Sequence, residues 1–559
     1  MLASAPVRIA STLPEVASGP APVRPRCKRA RFDRFELGLL AAFALMSLWV
    51  VGLDLWQAVV HDRVWTGTDG FFIVDQMQYL AWIQSASHHL LAANLFVLRS
   101  TPSDYFQPAV AISGVIAALG VAPWLALLLW KPVAVVGTFF AIRAYAHRTV
   151  AGPGERRAVI ALGLFFGSFS IIYGSFGIVG DMMPGWLTWG YPFGLMAVAL
   201  VVFALLSYDR ARGDGRVVWA PGLMGAVAST LHPWQGELLI LVVLLAELVR
   251  WREHAGWVRL KLPALTVALT GLPLVYYLAL GHFDLSWVLA SGATQHGFPF
   301  SAIVVGAAPL ALVALLGYRG RPRDFLELMT RIWLPAALLI YLISATGLSS
   351  SAPLHAFDGI TAPLAVLAVT GVRRAGLQRL PRARLVSGVV LALATIPANA
   401  YAMAIAHSYT RPTPGNANFI TRDERDALAY LSRDPDDGGV LTQFYLGEVV
   451  PGRTGRHTLV GDCVWSEPRC MPRSLTADAL FDGSMSRAQA QSFVQRSGAR
   501  FVLASCAPHA NLERLLGPMI IAVHRFGCAA VFDLGPAGEA AGPLAELPPD
   551  ADVRAPRRQ

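Results

Sequence analysis

The feature that most narrows what this chain can fold into is a repetition. Between residues 37 and 407, nearly uncharged apolar runs of membrane-spanning length recur, separated by short loops. About 20 such residues are what a helix needs to cross ~30 Å of hydrocarbon. Only 15% of the 559 residues are charged, well below the roughly one quarter usual in soluble proteins. The fold class expected is therefore a polytopic α-helical membrane protein of the cell membrane, with the bilayer as its solvent. The formal charge of +10 does not mark a nucleic-acid partner. Its arginines fall mostly in alternate loops, as the positive-inside rule produces.

Residues 1–36 read as a disordered, basic, cytoplasmic N-terminus ending in RPRCKRARFDR, and residues 37–60 as an uncleaved signal anchor. Eleven crossings are expected, with 121–145 as the second. The apolar piece 109–120 is short and reads as a re-entrant or interfacial segment, or as part of a broken span. The arginine-rich loops then share one side with the N-terminus. Every loop with Asp, His and Trp clusters falls on the other, which positive-inside bias alone does not require. The outer face is thus expected to be the working face.

Residues 408–540 are more polar and alternate strand-like runs (439–441, 457–460, 500–504, 519–524, 529–533) with helical ones, predicting an extracytoplasmic α/β domain; residues 541–559 read as a loose tail. Four of the five cysteines lie in this domain. An oxidising compartment favours two disulfides over a zinc site, which lacks a CxxC; spacing permits three pairings, of which Cys463–Cys470, a short loop, and Cys506–Cys528, joining the ends of neighbouring strands, are favoured. Residues 447–462 read as a turn-rich hairpin with Arg453 and Arg456 in solvent, the alternative being that the two arginines face a glycan. The domain reads as an acceptor-positioning or lid module without catalysis of its own.

The candidate chemistry lies in the first external loop, 61–108, which holds Asp69, Asp75, Asp104, His88, His89 and Arg99. Leu80, Ile83, Ala86 and Leu90 recur at helical spacing, predicting an amphipathic helix over 74–91 along the bilayer surface with Asp75 at its start. A carboxylate there suits a general base that deprotonates an acceptor hydroxyl while a lipid phosphate leaves a sugar's anomeric carbon. The phosphate needs Arg, His or amide donors, and Arg99, His88, His89, His232 and His355 are candidates. The loop His232-Pro233-Trp234-Gln235-Gly236-Glu237 would add Gln235 and Glu237 as polar contacts, and Asp358 follows His355. His282, Asp284 and His296 read as solvated, and Trp186, Trp189 and Tyr191 as interfacial anchors.

This layout resembles the GT-C glycosyltransferases, integral membrane enzymes that use polyprenyl-phosphate sugars, and in particular their aminoarabinose and protein-mannosyl branches. Those carry an Asp–Glu pair in the first external loop, with a Tyr four residues after the Asp. Here Asp75-Gln76-Met77-Gln78-Tyr79 matches the Asp and the Tyr, with Gln76 in place of the Glu. The resemblance implies Asp75 as catalytic base, Asp181 as the second acidic position and Tyr79 as a substrate contact; Asp69 is the runner-up base, since TGTDG could present its carboxylate on a flexible turn. It implies a polyprenyl-phosphate sugar donor and an envelope glycan or glycolipid acceptor at the outer face. Gln76 leaves use of a divalent metal open, and no residue is assigned as a metal ligand. The competing functions are a transporter or flippase for a lipid-linked sugar, and a scaffold presenting the C-terminal domain. Nearly charge-free spans without a visible repeat disfavour the former, and the polar outer loops the latter.

Overall fold

The computed structural model describes residues 32–69, 71–167, 182–251, 258–293, 300–345, 353–379 and 381–535. Asp181, His296, the N-terminal basic cluster and the C-terminal tail lie outside the described residues. The order begins α1 (Arg34–Val60), β1 (Val64–Trp65), α2 (Ile73–His89), α3 (Pro108–Ala118), α4 (Pro123–Leu128), α5 (Trp130–Thr149) and α6 (Pro153–Phe165). It continues with α7 (Pro192–Gly213), α8 (Ala220–Leu231), α9 (Pro233–Val249), α10 (Val258–Phe283), α11 (Leu285–Ala293) and α12 (Phe300–Leu315). The membrane part ends with α13 (Phe325–Ala345), α14 (Thr361–Arg374), α15 (Ala383–Thr395) and α16 (Pro397–Tyr409).

Among the described residues, seven segments are long and apolar enough to cross a membrane: α1, α4–α5, α7, α10, α12, α13 and α15–α16. The other four expected crossings overlap the shorter helices α6, α8, α9 and α14, of 13, 12, 17 and 14 residues, and residues 168–180 of the expected span 159–180 lie outside the described residues. The 11-residue α3 packs on α2. There Gly114 approaches Ala86 so closely that a Cβ would stand 2.8 Å from its backbone carbon.

The arginine-rich loops gather at one end of the bundle and are held by ion pairs. Glu36 accepts from Arg143 at 2.9 Å and pairs with His147 at 2.6 Å. Arg148 bridges Asp209 and Asp324, Arg212 meets Glu247, and Arg373 meets Glu155. Buried Glu327 collects Arg323, Arg331 and Arg374.

At the opposite end stands the C-terminal domain, with β2 (Phe419–Ile420), α17 (Arg422–Arg433), β3 (Val440–Leu441), α18 (Phe444–Thr454), α19 (Cys470–Phe481) and α20 (Arg487–Ser497). It closes with β4 (Phe501–Ala504), α21 (Leu512–Leu516), β5 (Ala522–Phe526) and β6 (Ala529–Asp533). Its sheet runs β3-β4-β6-β5, parallel between β3 and β4 and antiparallel elsewhere. Both expected disulfides are present, and Cys506–Cys528 joins the ends of the paired strands β4 and β6.

Two expectations for this domain need correction. Residues 444–454 form a helix, with Leu446, Val449 and Val450 buried at helical spacing and Gly455 ending it at φ +73°. The run 457–460 contributes one bridge, Thr458 to Val440, and no strand. Neither Arg453 nor Arg456 is in open solvent. Arg453 donates to the carbonyls of Trp65 and Thr66, and Arg456 to those of Leu431, Asp434, Asp436 and Gly438.

Those contacts join the domain to the first loop. β1 pairs antiparallel with β2, Thr458 N–H donates to Leu95 C=O at 2.9 Å, and Asn94 donates to Trp465 C=O at 2.9 Å. Trp465 also packs among Trp82 and Trp287, with ring centroids 5.3 and 4.9 Å away. As a result α2 does not lie open on a bilayer surface. α3 and α18 cover it, burying polar Gln76, Gln78 and Ser85 along with its apolar stripe.

Candidate active site

Three glycines allow the approach of α18 and the loop after it to α2. A Cβ on Gly452 would stand 2.9 Å from Leu80 Cβ, and Gly447 and Gly461 pack backbone to backbone. This close packing places a carboxylate of the C-terminal domain, Asp462, in the neighbourhood of Asp75, with Glu448 beside Asp462. Asp75 lies in the first turn of α2. Tyr191, just before α7, donates its hydroxyl to Asp75, and His355 is close enough to act on its charge. Among the described residues no lysine or arginine forms an ion pair with Asp75.

Burial raises the Asp75 pKa above the usual carboxylate range, and the Tyr191 hydroxyl and His355 only partly offset it. The Asp462 carboxyl is pushed up to about 7, first by burial and then by Asp75, while its Oδ1 accepts the Val464 amide at 2.8 Å. Glu448 is raised well above its ordinary value by burial and by Asp462. The site is therefore rich in carboxylates with raised proton affinity, supplied by two parts of the chain.

Aromatic rings wall it. Tyr191 stacks edge-on against Phe72 at 4.6 Å, and Tyr79 does so against Phe193 at 4.8 Å. His232 and His355 meet at 4.8 Å, and Trp234 covers both. His232 sits where α8 ends and Pro233 starts α9; His355 and Asp358 lie in the turn before α14. His232 Nε2 is 3.6 Å and His355 Nδ1 3.8 Å from Asp358 Oδ2. Burial raises the Asp358 pKa, with His355 pulling the other way. Gln235 donates to the carbonyls of His355 and Asp358 at 3.2 and 3.4 Å, which fixes that turn. These three side chains are the group at this end that could hold a metal ion.

The structure thus brings Asp75, Tyr79, His232, Gln235, His355 and Asp358 into one region. Glu237 is half-buried a turn further into α9. Asp69 is elsewhere and is not presented on an open turn. It is buried, forms an ion pair with Lys131, and its amide donates to Gln76 Oε1 at 2.8 Å. Gln76 Nε2 donates to Phe72 C=O at 3.1 Å. An amide supplies both the donor and the acceptor that this loop needs, which a glutamate would not.

His88 and His89 are exposed at the far end of α2, about 20 Å from Asp75 at 1.5 Å per helical residue. Arg99 lies near Arg473 of the C-terminal domain and helps to lower its pKa, behind burial. Trp186 and Trp189 are fully buried, donating to Asn399 Oδ1 and Met46 C=O, so they are core residues and not interfacial anchors. Asp284 is likewise buried and caps Ser286.

Sequence reasoning missed Glu448 and Asp462. The only local signal was an acid next to the disulfide cysteine Cys463 and a glycine-rich run, neither of which points across about 370 residues to α2.

Neither a family model nor a curated protein matches the sequence. Solved structures do. The arabinofuranosyltransferase AftD from Mycobacteria superposes with a TM-score of 0.54 at 14% identity, over 91% of this chain and 42% of its own. The Archaeoglobus fulgidus oligosaccharyltransferase, tethered to an acceptor peptide, gives 0.50 at 13% identity over 84% and 69%. ArnT from Cupriavidus metallidurans, bound to undecaprenyl phosphate, gives 0.49 at 14% over 91% and 99%. With its helical membrane bundle and appended α/β domain, this chain has the fold of the GT-C glycosyltransferases.

Proposed function

We propose that this protein is a glycosyltransferase of the cell membrane that moves a sugar from a polyprenyl-phosphate donor to an envelope glycan or glycolipid at the outer face. The observation that carries the reading is Asp75, a half-buried carboxylate to which no lysine or arginine is paired among the described residues, at the junction of bundle and domain. In the reaction the acceptor hydroxyl attacks the anomeric carbon, Asp75 takes its proton, and the bond from sugar to phosphate breaks to release the polyprenyl phosphate. A raised pKa makes Asp75 a better proton acceptor once ionised. The 12-residue α8 spans about 18 Å, short of a ~30 Å hydrocarbon core. His232, at its end, would then be recessed to where a lipid-borne phosphate can reach it.

Asp462, with Glu448 beside it, gives the C-terminal domain hydroxyl-binding groups near the base, so acceptor recognition belongs to the domain in this scheme. The test is transfer of radiolabelled sugar from synthetic polyprenyl-phosphate donors by membranes carrying the wild type or Asp75→Asn. Loss of about 10²- to 10⁴-fold is expected for removal of a general base. Undiminished transfer by a folded Asp75→Asn variant would remove Asp75 from the mechanism.

A further inference from the structure

The turn before α14 and the junction of α8 and α9 bring two imidazoles and a carboxylate together at the domain end of the bundle. Their ligand atoms all lie within 4.8 Å of one another. Asp358 is fully buried and His232 is 4% exposed. Both Asp358 oxygens and His232 Nδ1 are buried without a hydrogen-bond partner among the described residues, an arrangement that costs stability unless something else satisfies them. We propose that His232, His355 and Asp358 form a site for one divalent transition-metal ion, of which Zn²⁺ fits the donor set best.

Three arguments carry this. The first is spacing. The two contacts to Asp358 Oδ2, 3.6 and 3.8 Å, are too long for hydrogen bonds. An ion about 2.0–2.1 Å from each ligand separates them by roughly 3.3–3.6 Å in tetrahedral or trigonal geometry. Movements of a few tenths of an ångström would bring each imidazole and Asp358 to that spacing, and all three ligand atoms already lie within 4.8 Å of one another.

The second is donor type. Two imidazoles with one carboxylate suit Zn²⁺ and its first-row neighbours, whereas Mg²⁺ and Ca²⁺ prefer all-oxygen sets. The third is support. Gln235 is buried in α9 and holds the carbonyls of both His355 and Asp358, as outer groups around metal ligands do.

Three protein ligands leave a position open. On the glycosyltransferase reading that position would receive a phosphate oxygen of the donor, a role that rests on the function proposed above. Metal binding itself does not rest on it. No ligand comes from the first loop, so Gln76 in place of an acid would not prevent it.

The test uses full-length detergent-solubilised protein, stripped with chelator and titrated with Zn²⁺ or, for its visible absorption, Co²⁺. One ion per chain is expected by elemental analysis, with a Co²⁺ band of tetrahedral intensity. Gln235→Ala should weaken binding about 10-fold. His232→Ala and Asp358→Asn should abolish it, and Asp75→Asn should retain it. Wild-type protein that takes up no stoichiometric Zn²⁺, Co²⁺ or Mn²⁺ overturns the site, and so does unchanged uptake by His232→Ala. Since the wild-type titration needs no variant, misfolding of a mutant leaves it decisive. A protein that binds metal but transfers no sugar would overturn the proposed function and keep the site.

Discussion

The two ends of the bundle treat the same residue type in opposite ways. At the arginine end, buried Glu327 is met by three guanidiniums, Glu36 by Arg143 and His147, and Glu247 by Arg212 and Tyr208. At the domain end, Asp75, Asp358, Asp462 and Glu448 are buried or half-buried, and among the described residues none has a lysine or arginine in an ion pair. Burying a carboxylate is costly unless it is paired. The arginine end meets that requirement and is thereby fastened. The domain end leaves it unmet, which raises proton affinity and keeps the groups available for chemistry. Asp69 marks the contrast from within, as a domain-end acid that Lys131 neutralises.

The sharpest way to break this comparison is Asp75→Asn against Glu327→Gln. The first should cost about 10²- to 10⁴-fold in transfer with thermal unfolding unchanged. The second should lower stability by about 3 kcal/mol, read by thermal unfolding in detergent, with transfer per folded molecule unchanged. If the two exchange phenotypes, the assignment of the ends is wrong.

Asp69→Asn should behave like the arginine end, destabilising by about 3–5 kcal/mol because Lys131 is stranded. Specific loss of transfer at normal stability would return Asp69 to the reaction.

A smaller effect concerns pH. The folded protein holds the Asp462 proton up to about 7, whereas an unfolded chain releases it near ~3.9. The folded state therefore binds more protons between these values, and this contribution to stability is lost as pH rises through about 7. Asp462→Asn should flatten that part of a plot of melting temperature against pH. It should also move the acid limb of the transfer profile to lower pH, because a negative neighbour of Asp75 is gone. Superimposable wild-type and variant curves would contradict the carboxylate pairing. The smallest effect is expected for His88→Ala with His89→Ala, within ~0.5 kcal/mol and with transfer unaltered.

Much of the frame was legible in the sequence. Apolar runs report helices because a lipid-facing segment must satisfy its backbone internally, and seven of the expected crossings are helices long and apolar enough to span a membrane. Of the three pairings that four cysteines allow, the favoured one, Cys463–Cys470 with Cys506–Cys528, is the one present. Helix α18 was misread because Pro451 and the glycines around it look like turn signals. Gly447 and Gly452 are instead small residues at close contacts.

What the sequence by itself determined is the set of local structures and the side on which each loop is expected, since hydropathy and charge act within a few residues. Only the tertiary structure decided which acids are neutralised. Pairing Asp69 with Lys131, or bringing Asp462 to Asp75 and Asp358 to His232, joins residues from 62 to 387 positions apart. Charge pairing depends on distance in space, and packing across the fold sets that distance.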